Sequence, residues 1–297
     1  MNILLTGANG FIGSHIAAAL QAAGHSVQAA TRAQGVDFLR DTKAAAWLPR
    51  LQNMDAVINT VGVLRDTSAT PMQAIHVDAP CALFEACTQA GVHRVLHISA
   101  LGIELGDFPY ASSKRAADEY LLELQDAGQV NASILRPSVV FGKDRQGRWG
   151  DSSALFMNLA KLPLLLLPQP VLRARVQPLA VAELAECVAK LASHTPLAAA
   201  IAKPLLEIAG PRALTMAALI ASLRQQQGKS AARVWPLPQA LTHLSARIGD
   251  LVPIAPWCSE TLAMLVTDNV ADYQTFRQLL GREATAPEGL LGCMASS

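Results

Sequence analysis

Several things are scarce in this chain of 297 residues, and each scarcity removes a class of function. Aromatic residues make up 5%, with only 3 tyrosines, so there is no stacking platform for single-stranded nucleic acid. No charge sign dominates: 24 basic against 23 acidic side chains leave a net charge of +1, and no global field draws the chain to nucleic acid. The 5 cysteines, at positions 81, 87, 187, 258 and 293, are odd in number and form no CxxC pair. Neither a disulfide framework nor a zinc site is expected from them. The 7 histidines show no HExxH spacing, so no metal site is expected. No apolar run reaches the ~20 residues of a membrane span. The N-terminus lacks a basic leader, and Asn9, Gly10 and Gly13 interrupt its apolar run. A cytoplasmic protein without a transmembrane segment is the resulting expectation.

Apolar residues, by contrast, reach 51%, enough for a substantial core and too many for a disordered chain. Strand-like runs at 2–5, 26–30, 56–59, 95–98 and 132–135 alternate with helix-period stretches at 11–23, 78–90 and 110–126. That alternation predicts an α/β architecture, a doubly wound parallel sheet with ligands at the carboxyl ends of its strands. After Arg136-Pro137 the pattern turns helix-rich, with helices expected at 153–162, 182–193, 215–227, 238–250 and 259–265 and a returning strand at 205–209. We therefore expect a dinucleotide-binding domain over 1–145, with later elements free to rejoin its sheet, and a smaller substrate-binding cap over 146–297. The tail from Thr285 is rich in small residues and is expected to be poorly ordered. The most apolar patch, Leu162-Pro163-Leu164-Leu165-Leu166-Leu167-Pro168, reads as buried core or a loop over a pocket; a peripheral membrane or partner contact stays open.

Thr6-Gly7-Ala8-Asn9-Gly10-Phe11-Ile12-Gly13 joins the first strand to the first helix. Gly7 permits the tight turn, Gly10 lets a pyrophosphate approach the backbone, and Gly13 lets the helix lie close to the sheet. Asn9, Phe11 and Ile12 complete this cradle at the positive end of the helix. The second strand ends at Thr31-Arg32 without the carboxylate that would bind ribose hydroxyls; Arg32 suits a 2′-phosphate instead. NADP(H) is therefore favoured, and NAD(H) stays open. Asp37 and Phe38 are placed near the adenine, Thr60 and Gly62 near the cofactor's ribose and diphosphate, and the backbone at Pro137 and Val139 near the nicotinamide amide.

Ser99 follows the strand at 95–98, and Tyr110 and Lys114 lie four apart, on one helix face. A phenol with a pKa of about 10 is a weak base near neutrality. A nearby ammonium lowers that value, so Tyr110 is expected to exchange a proton with a substrate oxygen while hydride moves at the nicotinamide. Ser99 would hold the same oxygen, and Lys114 would also grip the nicotinamide ribose.

Together TGANGFIG, HISA, YASSK and LRPSVVFG resemble the extended and atypical short-chain dehydrogenase/reductases, in order and over most of the chain. The short segment from Thr31 to Asp37 looks like that of dTDP-4-dehydrorhamnose reductases. Leu206-Glu207-Ile208-Ala209-Gly210-Pro211, Leu214-Thr215 and Leu265-Val266-Thr267-Asp268-Asn269-Val270 look like the branch related to the nucleotide-binding accessory subunit of respiratory complex I. The resemblance implies a Rossmann-type fold, NAD(P) bound at Gly7, Gly10 and Gly13, and Ser99, Tyr110 and Lys114 at the catalytic positions. His76-Val77-Asp78-Ala79-Pro80 departs from the family's Asn-Val-x-Gly-Thr, whose asparagine orders the active site in relatives. The complex I-like branch often lacks the tyrosine present here. The expected function is hydride transfer or epimerisation on a small carbonyl or hydroxyl substrate. The alternative is a non-catalytic NAD(P)-binding sensor or respiratory-complex-associated assembly protein. The oligomeric state is not legible.

Overall fold

The computed structural model describes residues 1–193, 203–250, 259, 262 and 267–293. The chain divides into two compact units, Met1–Pro137 with Leu184–Glu207, and Ser138–Glu183 with Ile208–Ser297.

The first unit is built on β1 (Asn2–Thr6), β2 (Ser26–Ala30), β3 (Ala56–Asn59), β4 (Arg94–Ile98) and β5 (Asn131–Pro137). All of their mutual pairings are parallel. A further strand, Leu205–Ile208, closes the sheet beside β5, giving six strands in the order Leu205–Ile208, β5, β4, β3, β1, β2. The direction of the order reverses between β1 and β3, and an open α/β sheet has its ligand crevice at such a switch point. The doubly wound expectation is met, and the returning strand lies where the sequence places it. Helix α1 (Phe11–Ala22) buries Gly13, Ile16 and Leu20, one stripe at helical spacing. The segment between β2 and β3 holds only short turns and the four-residue helix α2 (Ala44–Trp47). It is anchored by fully buried Trp47, whose Nε1–H donates to the Asp41 carbonyl at 2.7 Å. Helix α3 (Ala79–Ala90) is entered through a π turn, Gln73–Asp78, and α4 (Pro109–Asp126) opens on a proline, which suits the first helical position.

The second unit has its own core, around Phe141, Phe156, Val176, Leu219 and Leu223. Its strands come in short pairs: β6 (Val140–Phe141) is parallel to β9 (Leu179–Ala180), and β8 (Arg175–Val176) is antiparallel to Leu214–Thr215. The leucine patch is strand β7 (Leu164–Pro168), parallel to Arg233–Leu237. It alternates, with Leu165 and Leu167 buried and Leu164 and Leu166 exposed, so burial accounts for only one of its faces. Helices Asp151–Leu159, Val181–Ala192, Met216–Gln226 and Gln239–Asp250 match four of the expected five. The fifth, at 259–265, lies largely outside the described residues. The expectation for the tail is overturned as far as Cys293: the buried Glu183 carboxylate accepts from Thr285 N–H at 2.9 Å and from its hydroxyl at 3.0 Å, and Leu290 is fully buried. Pro287 and Leu290 are the buried anchors there, while Ala286 and Gly292 stay exposed.

Candidate functional site

The glycine loop has the geometry its spacing predicts. Gly7 adopts φ +73°, which L side chains avoid. A Cβ on Gly13 would lie 2.1 Å from the Gly7 carbonyl oxygen and 2.8 Å from Thr60 Oγ1, so only glycine lets α1 start this close to the end of β1. Gly10 N–H donates to Gly7 O at 2.8 Å and Ser14 N–H to Gly10 O at 3.0 Å. The N–H groups of Phe11, Ile12 and Gly13 thus head the helix with no intrahelical acceptor, a ready cradle for phosphate oxygens. Thr60, expected as a cofactor contact, buttresses the loop by donating its hydroxyl to Thr6 O at 2.7 Å.

Tyr110 and Lys114 lie one turn apart on α4, both buried. Lys114 Nζ donates to Ile98 O at 3.2 Å, beside Ser99 at the end of β4. A Cβ on Gly62 would sit 3.1 Å from Lys114 Nζ and 3.5 Å from His76 Nε2. The glycine after β3 therefore makes room for the protein's own side chains. Burial lowers the Lys114 pKa to about 8. Burial, and secondarily the Asp118 charge, pushes the Tyr110 phenol up to about 12. The expected lowering by the lysine is not what governs this tyrosine: desolvation outweighs it, and Tyr110 rests as the phenol.

His76 is inside this cluster. Its Nε2 accepts Val63 N–H at 2.9 Å, its Nδ1 lies 2.9 Å from Ser113 Oγ, and its ring meets Tyr110 edge-on at 5.6 Å. Burial, followed by the Lys114 charge, lowers its pKa to about 2, so it is a neutral bridge from the loop after β3 to α4. It sits in the π turn, a distortion that recurs at functional sites.

Asp118, one turn beyond Lys114 on the same face, was not singled out from the sequence, yet it organises the cluster. Its fully buried carboxylate accepts Ser99 Oγ–H at 2.9 Å and Arg136 Nε–H at 2.8 Å through Oδ2, and its Oδ1 faces His97 Nε2 at 3.7 Å. That separation is too long for a hydrogen bond, and burial holds His97 neutral, so the contact is not an ion pair. Burial raises the Asp118 pKa, opposed chiefly by Arg136. Beyond His97 the chain continues: Asn59 Nδ2 lies 3.1 Å from His97 Nδ1, and Thr6 Oγ1–H donates to Asn59 Oδ1 at 2.6 Å. A buried polar row, interrupted by that 3.7 Å gap, thus runs from the residue before Gly7 to Ser99. The one proton of the Ser99 hydroxyl is committed to Asp118, leaving its lone pairs for a ligand. The spacing 110, 114, 118 was the available signal.

The remaining expected residues are more scattered. Arg32 is exposed just past the end of β2, and Asn9 is exposed in the loop. Asp37 is half-buried, its carboxylate accepting Leu39 N–H at 3.0 Å and pairing with Arg40 at 3.6 Å. Phe38 is buried edge-on against Trp47 at 5.5 Å, in the core of the sheet. Pro137 ends β5 and its carbonyl accepts Leu101 N–H at 2.9 Å; Val139 belongs to the second unit. Among the described residues no group of three or more His, Cys, Asp or Glu could hold a metal ion, and no helix is long and apolar enough to cross a membrane.

Comparison with known proteins places this geometry. The model of the NAD dependent epimerase/dehydratase family matches residues 3–196. A UDP-2-acetamido-2,6-beta-L-arabino-hexul-4-ose reductase of Pseudomonas aeruginosa is 29% identical over 159 residues, 53% of this chain and 41% of the relative. NADH dehydrogenase [ubiquinone] 1 alpha subcomplex subunit 9 of Rattus norvegicus is 24% identical over 212 residues, 71% of this chain and 52% of the relative. This chain thus spans about half or less of the length of these curated relatives. Among solved structures, MoeE5 in complex with UDP-glucose and NAD superposes with a TM-score of 0.69 at 19% identity, covering 100% of this chain and 98% of that one; at that identity the likeness is one of fold. Both resemblances legible in the sequence, to extended short-chain dehydrogenase/reductases and to the complex I subunit, are borne out.

Proposed function

The chain belongs to the NAD dependent epimerase/dehydratase family, and from that premise we propose that it is an NAD(P)(H)-dependent oxidoreductase or epimerase acting on a small carbonyl or hydroxyl substrate. One observation carries the reading: the Tyr110–Lys114 pair, with Lys114 Nζ held between the ends of β3 and β4, on the sheet edge that also carries the glycine cradle.

The residues present fit a dinucleotide, because Gly13 lets α1 start against the Gly7 carbonyl and leaves the first N–H groups of the helix without an intrahelical acceptor at the end of β1. When bound, the nicotinamide supplies the hydride donor or acceptor. The N–H groups of Phe11, Ile12 and Gly13 would hold the pyrophosphate. Lys114, mostly an ammonium at neutral pH, would donate to the ribose and favour negative charge on the substrate oxygen. Tyr110 rests protonated, so it is set to deliver its proton to a carbonyl oxygen, the reductive direction. Ser99, its own proton held by Asp118, would accept from a substrate hydroxyl.

Arg32, exposed at the end of β2 where no carboxylate stands, favours NADP(H), with Asp37 on the adenine side. Arg32→Ala should weaken NADPH about tenfold or more by calorimetry and leave NADH nearly unchanged; equal losses reject the phosphate clamp. Tyr110→Phe should keep cofactor affinity and lower turnover by about 10²–10⁴. Undiminished turnover in that variant removes the acid role. The second reading, a non-catalytic NAD(P)-binding or respiratory-complex assembly protein, draws on the likeness to subunit 9 and on the Ser99 proton already held by Asp118. It predicts that bound NADPH raises the melting temperature and is oxidised by no member of a broad carbonyl panel.

A further inference from the structure

Exposed apolar side chains are not spread evenly over this protein. Of the ten large hydrophobic residues exposed among the described residues, eight fall in two stretches of the second unit: Leu162, Leu164 and Leu166, and Val234, Trp235, Leu241, Leu244 and Ile248. Scattered exposed leucines need no explanation, but a cluster of this size on one unit does.

Its construction is regular. The ribbon of β7 and Arg233–Leu237 sets Leu166 opposite Trp235 and Leu164 opposite Arg233. Leu166 is 55% exposed and Trp235 59%, while Leu165 and Leu167 face the core. The next helix, Gln239–Asp250, repeats the device. Leu241, Leu244 and Ile248 form an exposed stripe at helical spacing, while Thr242 and Ala246 are buried on the other side. His243 and Arg247 flank the stripe and are exposed.

The charges around these elements are mainly of one sign. From residue 158 to 168 and from 227 to 250 the chain carries Lys161, Lys229, Arg233 and Arg247 against one carboxylate, Asp250 at the end of the helix, although the whole chain is nearly neutral at +1. Leucines, a tryptophan and a mainly basic rim on an amphipathic ribbon and helix are the composition that settles into an anionic lipid–water interface. A second copy of this chain would bring the same positive charges against themselves. We propose that these exposed elements of the second unit dock on anionic membrane surfaces, with Leu164, Leu166, Trp235 and Leu244 entering the headgroup boundary and Lys161, Arg233 and Arg247 meeting lipid phosphates.

The test uses the full-length chain and needs no turnover, so its failure is separable from failure of the catalytic reading. In flotation with vesicles, wild-type protein should rise with a phosphatidylcholine–phosphatidylglycerol mixture, far less with phosphatidylcholine alone, and less as salt is raised. Leu166→Asp combined with Trp235→Ser should lower vesicle partitioning about tenfold or more. Both positions are exposed, so the melting temperature should hold; Leu244→Asp gives an independent second probe on the helix. Wild-type protein that stays with the unbound fraction on anionic vesicles overturns the proposal. So does binding that is indifferent to lipid charge and salt, or undiminished binding by the folded variants. A concentration-dependent dimer, broken by Leu166→Asp and without vesicle affinity, would assign the face to a second copy instead.

Discussion

The two units bury polar side chains in comparable number but put them to different use. In the first, Thr6, Asn59 and His97 bond in one run and Ser99, Asp118 and Arg136 in another, and His76 and Ser113 form a further bridge beside Tyr110. In the second, Glu183 pairs with Arg282 and Thr285 side chains, but other buried side chains hold backbone. Gln177 donates to Gly210 O at 2.9 Å and accepts Ala271 N–H at 2.7 Å, and Arg224 donates to Ala160 O and Leu162 O, each at 3.1 Å. A side chain that bonds a carbonyl fixes the course of a loop. Side chains that bond each other make a body of linked protons and charges whose state can respond to a ligand.

The sharpest way to break this contrast is to remove one charge from each unit. Asp118→Asn leaves Arg136 with only the exposed Glu104 carboxylate, 2.6 Å from its Nη1, and should cost about 3 kcal/mol in urea unfolding. Glu183→Gln in the second unit weakens bonds to Thr285 and Arg282 and should cost only about 1–2 kcal/mol. Equal losses would erase the distinction. A smaller effect sharpens it. His76 is neutral when folded down to about pH 2, whereas an unfolded histidine takes up its proton near 6.5. The folded state therefore binds fewer protons across that window. Its stability is full above pH 6.5 and falls as pH drops, by about 1.4 kcal/mol per unit for this one group. His76→Asn should flatten the acid limb of a stability–pH profile by about that slope; an unchanged limb would mean that His76 is not held neutral.

The first unit was largely legible because its signals are local. Strand–helix alternation, glycines at 7, 10 and 13, and the 110–114 pair each act within a few residues. Asp118 escaped notice because an acidic residue on a helix ordinarily reads as solvated surface; only the fold shows it at the centre of a buried cluster. Phe38 was assigned to an adenine pocket because it follows β2, yet the trimmed crossover leaves Trp47 needing a neighbour, and Phe38 fills that place in the core. The pairing of β7 with Arg233–Leu237 had no local signal, since its two strands are distant in sequence and neither is joined to the other by a turn. In the tail, composition argued for looseness while Glu183, far upstream, supplied the acceptor that ties it down.

The strand Leu205–Ile208 has a consequence for biogenesis. It pairs with β5, but the ribosome delivers it only after residues 138–204 have emerged. Throughout that interval the nascent chain carries a buried-type strand, Ala132–Leu135, with one row of peptide groups still waiting for a partner. Such an open edge is where a stray strand from another polypeptide can add on. The wild-type order of synthesis therefore makes the span between β5 and Leu205 the period of greatest aggregation risk, and a circular permutant that places 203–209 ahead of β1 would shorten it.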